Sequence, residues 1–368
     1  MCLLLVRTKT MTAKVTWTKL EPRGDPNHGR PLSRSSHGLS MVQNKSRLVL
    51  YGGEHIARTP LEPNQQTWAV DVAADGSVGP WRLIQPADGV TPPARVAHAQ
   101  AVYNDNIIYI FGGRSGILMH ECGMNDLWKL DCSGEPGTET WSLVEPDVTK
   151  GDGDAPPEER SFHKMLCIGS NLYVFGGCST NHGRLADVYR FDIENNTWHN
   201  MGTSHFLRGR GGANLIPLAS GTKLAVVAGF CGEETNDGHC FDVATGQWDE
   251  APLTPLLDGL RPRSVCVSGA FPSTRFAVIF GGEVDPSAKG HEGAGGFEND
   301  VLILDEKSGM YLERIPAESS WPETRGWSDA TSVDDNGVGR LFLFGGLSGD
   351  DENPKRMDDL WRLDVQAE

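Results

Sequence analysis

Residues 275 to 296 read RFAVIFGGEVDPSAKGHEGAGG: a run of β-branched and aromatic residues stopped by two glycines, then a loop carrying Glu283, Asp285, His291 and Glu292. The first half recurs along the chain. RLVLYGG stands at 47–53, IIYIFGG at 107–113, LYVFGG at 172–177, LAVVAGF at 224–230 and RLFLFGG at 340–346. Each run is short, rich in strand-favouring residues and closed by turn-favouring ones, so each reads as a strand.

The surroundings of these runs recur too. Upstream of each comes an arginine that opens another short run: Arg34-Ser-Ser-His37, Arg95-Val-Ala-His98, Arg160-Ser-Phe-His163, Arg210-Gly-Gly-Ala213, Arg263-Ser-Val-Cys266 and Arg325-Gly-Trp-Ser328. Downstream comes a third run, as in Asn125 to Asp131, Asp187 to Asp192, His239 to Asp242, Asn299 to Asp305 and Asp359 to Asp364. A fourth is marked by an aromatic residue at Trp81, Trp141, Trp198, Trp248 or Tyr311.

Four short strands per unit, at a period of roughly 50 to 65 residues, resemble the blades of the kelch family of β-propellers. The resemblance implies an all-β, six-bladed kelch β-propeller with blades at about 34–83, 95–144, 160–200, 210–250, 263–315 and 325–364. The sixth unit runs out of chain before its fourth strand. Val15 to Leu20, VTWTKL, has the alternation and the tryptophan to supply it, which would close the ring with the N-terminal strand and remove two sheet edges. The expectation is one propeller over 15–368 after a flexible stretch 1–14, with Met11 as an alternative start.

Composition narrows the partners. With 33 basic against 49 acidic side chains the net charge is −16, which repels nucleic acid and anionic membrane surfaces. No apolar run nears the roughly 18 residues that span a bilayer, and the stub at Leu3 to Val6 is too short for a secretory signal. Eight cysteines at irregular spacing, without a Cys-x-x-Cys pair, read as free thiols of a reducing compartment, cytoplasmic or nuclear.

The irregular units carry a narrower resemblance. Gly211 to Asn214, Gly229-Phe-Cys-Gly-Glu-Glu234, His239 to Asp242, Arg160 to His163 and Arg325 to Trp327 are similar to the plant nitrile-specifier, epithiospecifier and thiocyanate-forming proteins. This implies Fe(II) held by a Glu-x3-Asp-x3-His set after the blade-five glycines, and arginines on neighbouring blades around a small anionic, sulfur-containing substrate. The substrate class is the aglucone of a glucosinolate, diverted toward nitriles or related products in a lyase-like, Fe(II)-dependent reaction. Carried over, Glu283 and His291 match two of the ligands. Ser287 stands at the middle position, so Asp285 is the nearest carboxylate to complete the set.

Arg95 and Arg160 are the arginines expected at the reacting anion, because a guanidinium fork meets two oxyanion oxygens at once. Arg325 and Trp327 are expected to bind substrate beside them. The repeat frame gives every such arginine a structural task as well. The repeat histidines His37, His98 and His163 read as structural, each tying strands by a ring hydrogen bond. No Gly-rich phosphate loop, Gly-x-Ser-x-Gly elbow or His-Glu-x-x-His is present. The alternative is a kelch propeller without catalysis, whose loops dock another protein.

Overall fold

The structure is a computed structural model that describes residues 12–44, 46–115, 123–150, 153–253 and 261–368; the side chain of His291 is also outside the described set. The strand runs form six four-stranded antiparallel sheets. In blade one Gly38–Val42, Arg47–Tyr51, Trp68–Val72 and Val78–Leu83 follow one another from the channel outward. Blade two repeats this with Ala99–Tyr103, Ile107–Phe111, Leu127–Asp131 and Thr140–Val144. Blades three, four and five begin at Lys164, Asn214 and Val267 in the same order.

Blade six takes its outer strand from the other end of the chain. Ala13–Leu20 pairs antiparallel with Leu360–Ala367, Trp17 standing opposite Leu363. Each fourth-strand tryptophan packs on the aromatic residue that precedes the glycine pair of the previous blade. Trp81 lies 5.6 Å from Phe344, Trp141 5.0 Å from Tyr51, Trp198 5.1 Å from Phe111 and Trp248 5.9 Å from Phe175. Trp17 meets Phe280 in the same way, at 4.6 Å, so the N-terminal strand fills the fourth place of blade six in packing as well as in pairing.

The repeat arginines are spokes inside the blades. Arg95 donates from both terminal nitrogens to the Asp126 carboxylate at 2.8 Å, from Nη1 to the Gly112 carbonyl and from Nε to the Pro93 carbonyl. Arg160 makes the same bonds to Asp187, Gly176 and Glu158, and Arg325 to Asp359, Gly345 and Glu323. Arg210–Asp237 and Arg263–Asp300 complete the pattern. Blade one differs: Arg34 has only carbonyl partners, on Leu32, Gly52, Gln65 and Gln66, and burial pushes its pKa down to about 9.

Two circles of backbone hydrogen bonds tie the blades. In the first, the second glycine of each pair donates to the arginine carbonyl of the next blade, from Gly53 to Arg95 through to Gly346 to Arg34. In the second, the residue two after each arginine donates to its counterpart in the blade before. The order is Ala97 to Ser36, Phe162 to Ala97, Gly212 to Phe162, Val265 to Gly212, Trp327 to Val265 and Ser36 to Trp327, at 2.8 to 3.1 Å. The second circle is a collar across the channel. Gly113 shows why the second glycine is needed: its φ is +96°, and a Cβ there would stand 2.8 Å from the Val96 carbonyl.

The repeat histidines sit between blades, edge-on to His37–Phe344, His98–Tyr51 and His163–Phe111 partners. The ring hydrogen bond expected of them is made by His163, to the Phe111 carbonyl at 3.1 Å. Burial lowers all three pKa values, that of His98 to about 3, so they are neutral rings at ordinary pH.

Candidate anion-binding pocket

The collar divides the channel. On one side lies a cavity of about 720 Å³ lined by the innermost strands; on the other is a pocket of about 220 Å³. The smaller pocket is walled by one position of the repeat, the residue directly after the glycine pair. Glu54, Arg114, Cys178, Phe230, Glu283 and Leu347 all face it, one from each blade. Each is bridged to the residue that follows a spoke arginine, as Arg114 is to Val96 and Glu283 to Ser264. Its floor includes the collar side chains Phe162, Val265 and Trp327.

The six wall residues are chemically mixed, two glutamates beside an arginine, a cysteine, a phenylalanine and a leucine, where the repeat keeps its arginine and second glycine in every blade. Arg114 is buried, with its guanidinium carbon 5.0 Å from the centre of the Phe162 ring. Arg184, on the strand Gly183–Asp192, lies exposed over Phe230 at 4.6 Å. Each flat guanidinium thus lies near an aromatic ring, a cation–π placement that favours its charged form. Burial raises the Cys178 thiol pKa, against the pull of Arg184 and Arg114 beside it. Phe162 and Trp327 meet edge to face at 5.3 Å.

Carboxylates balance these cations. Glu54 takes hydrogen bonds from the Ser35 hydroxyl, the Arg58 amide and Arg356. Glu283 is 7% exposed, and burial pushes its pKa up to about 7, opposed by backbone donors of Ser287 and Gly295 and helped by the charge of Asp351. Behind it, burial drives Glu234 up to about 8, opposed by the Ser264 hydroxyl and assisted by Glu283. The pocket therefore offers two cations and a carboxyl group that titrates near neutrality.

The residues expected from sequence part company here. Arg95, Arg160 and Arg325 have their donors inside the blades, each at most 1% exposed, and none lines the pocket. Trp327 and Glu283 do line it. Asp285 points away, exposed and paired with Arg261 at 2.7 Å, because Glu283 and Asp285 flank a bulge in a short two-stranded ribbon. His291 belongs to a single 3-10 turn, Gly290–Glu292, and its side chain lies outside the described residues.

An iron ion bound by Glu283, Asp285 and His291 is what the specifier resemblance implies. The described donors do not fit it: Glu283 faces the pocket, Asp285 is turned to Arg261, and the Ser287 hydroxyl is bonded to Asp351. Among the described residues no group of three or more His, Cys, Asp or Glu side chains is arranged to hold a metal ion. Sequence reasoning missed Arg114 and Arg184. The signal for Arg114 was a charged residue directly after the glycine pair, at a position that reads Glu, Arg, Cys, Phe, Glu, Leu through the blades. Arg184 had no such marker, because it reaches the rim from a strand whose register only the fold sets.

Known proteins agree with this architecture. The chain is 29% identical over 355 residues to N-(sulfonatooxy)prop-2-enimidothioate sulfolyase of Thlaspi arvense, covering 91% of this chain and 93% of that one. It is 26% identical to Adagio-like protein 1 of Oryza sativa subsp. japonica and 32% identical to Kelch domain-containing protein 3 of Homo sapiens, over 94% and 72% of this chain. It spans about half the length of these last two, 52% and 53%. The solved structure "Structure of YjhT" superposes with a TM-score of 0.63 at 15% identity, over 90% of this chain and 95% of that one, a likeness of fold. The model of the KLHDC2/KLHL20/DRC7 Kelch-repeats domain matches residues 75–282, more than half the chain, so the chain belongs to the kelch-repeat family as a six-bladed propeller.

Proposed function

We propose that the smaller pocket binds a small sulfate-bearing anion that also carries a thiolate sulfur, and that the protein diverts the breakdown of such glucosinolate aglucones toward nitriles or related products. The observation that carries this reading is the placement of Arg114 and Arg184 at one aromatic-lined pocket of about 220 Å³. The near end-to-end similarity to a sulfolyase whose named substrate holds an N-linked sulfate supports the same ligand class.

In this reading the arginines bind the sulfate oxygens and carry the charge that grows as the N–O bond breaks and sulfate leaves with the electron pair. For nitrile formation the carbon–sulfur pair becomes the third C–N bond and sulfur is released as the neutral element. Trp327, Phe162 and Phe230 cover the carbon chain and keep water from it. Glu283 lies within the same wall and can hold a proton near neutrality.

The test adds the purified protein to myrosinase and allyl glucosinolate and measures nitrile against isothiocyanate. Arg114→Ala and Arg184→Ala should each lower the nitrile fraction about tenfold or more, as expected when one oxyanion donor is lost. Isothiocyanate as the sole product with the unmodified protein would remove the reading. A docking role draws on the similarity to Adagio-like protein 1 and Kelch domain-containing protein 3, in which the part matched by this chain is only about half of the length. Free thiols at all six described cysteines suit a cytoplasmic setting for either role.

A further inference from the structure

The blade-five loop does not stand alone. Pro286, Ser287, Gly290 and Gly293 form one wall of the pocket, and the loop is fastened to the neighbouring blade at several points. The Ser287 hydroxyl donates to Asp351 Oδ1, and the Ala288 amide donates to Asp351 Oδ2 at 3.2 Å. Lys289 Nζ donates to the Asp351 carbonyl at 2.6 Å and to Glu352 at 3.0 Å. Within the loop, Ser287 Oγ in turn accepts from the Lys289 amide at 3.0 Å.

The anchor on blade six is itself held. Asp351 lies in the turn of the hairpin Leu347–Gly349 and Pro354–Arg356, where Asp350 Oδ1 accepts from the amides of Glu352 and Asn353 at 2.9 and 2.8 Å. Gly293 leaves the necessary space, since a Cβ there would collide with both Asp351 Oδ1 and Ser287 Oγ. At the far end Glu292 faces Arg58 of blade one at 3.9 Å, so the loop crosses the mouth from blade six to blade one. Ser287, which occupies the position where the resemblance calls for an aspartate ligand, thereby donates its hydroxyl proton to Asp351.

We propose that Asp351 is a positioning residue for the pocket: its carboxylate latches the blade-five loop through Ser287 into the wall against which the anion binds, and so sets how long the anion stays. This rests on the pocket being the anion site. Among the described residues the latch organises the loop through protein groups, at the position where the resemblance implies a ligand.

Two measurements on the full chain decide it. The first is hydrogen exchange of the 287–293 amides, with and without a chelator. Asp351→Ala and Ser287→Ala should each speed exchange at Ala288 and Lys289 about tenfold and leave blade-strand amides unchanged, the loss expected for one charge-assisted hydrogen bond. Unchanged loop exchange in either variant overturns the latch, and so does loosening of the unmodified loop by the chelator.

The second is the dissociation rate of prop-2-ene-1-sulfonate, a stable small anion. Either alanine variant should raise the rate about tenfold, the double variant should do no more than one single, and Ser287→Thr should restore it. Additive or absent effects refute the role in retention. If this sulfonate does not bind the unmodified protein, the anion reading itself fails while the exchange experiment still decides the latch.

Discussion

An arginine buried without a counter-charge is expensive, and the five Arg–Asp spokes show the remedy at atomic scale: two parallel charge-assisted bonds plus two carbonyls engage most of the guanidinium donors. Asp126 illustrates the balance. Burial raises its pKa, but the bonds and charge of Arg95 outweigh this and hold it below the usual carboxylate value. Removing one partner leaves the other charge stranded, so Asp126→Ala should cost about 3–5 kcal/mol in urea unfolding. Loss of under 1 kcal/mol would show that the spoke is dispensable. The same bonds keep the guanidinium groups of Arg95, Arg160 and Arg325 inside their blades, away from the wall of the pocket.

Among the elements, the outer strand of blade six is the one that joins the chain ends. Ala13–Leu20 supplies Trp17, which contacts Phe280, Trp321 and Trp361 and belongs to the buried cluster between blades five and six. Deleting residues 1–20 would expose the edge of Leu360–Ala367 and this cluster, so the shortened protein should unfold or aggregate; an unchanged melting temperature would refute the assignment. The entries to the inner strands of blades one to three carry the neutral histidines. Their folded pKa values are depressed, so the folded state binds fewer protons than the unfolded chain between the ordinary value of about 6.5 and the lowered ones. Stability is therefore full above pH 6.5 and falls as pH drops through that window. His98→Gln should flatten the slope of unfolding free energy against pH below 6.5, and an unaltered slope would show that His98 is not a source of it.

At the scale of the whole molecule, two closed circles of hydrogen bonds make each blade depend on both neighbours. A ring so closed should lose its blades together. Tryptophan fluorescence and far-ultraviolet circular dichroism are expected to give one shared denaturation midpoint, whereas separated midpoints would reveal blades melting singly. The ring also makes the site. A pocket that draws one side chain from each of six blades exists only when all six are in place, which ties ligand binding to global integrity.

Much of this was legible in the chain because a propeller blade is specified locally. Strand, glycine pair, arginine, aspartate and tryptophan recur at short spacing, and each acts on its own blade or the next, so a repeat read along the sequence is a contact read in space. The terminal VTWTKL strand was legible for the same reason, as the one missing member of a periodic set. Direction of side chains was not. Arg95 and Arg114 lie 19 positions apart in one blade, and which of them points inward to an aspartate and which faces the pocket follows from strand register, the bulged turns after the glycines and the closure of the ring. Ser287 and Asp351, 64 residues apart on different blades, meet only because blades five and six are neighbours. Local periodicity thus determined the fold, and the site was decided by long-range closure, which no single repeat contains.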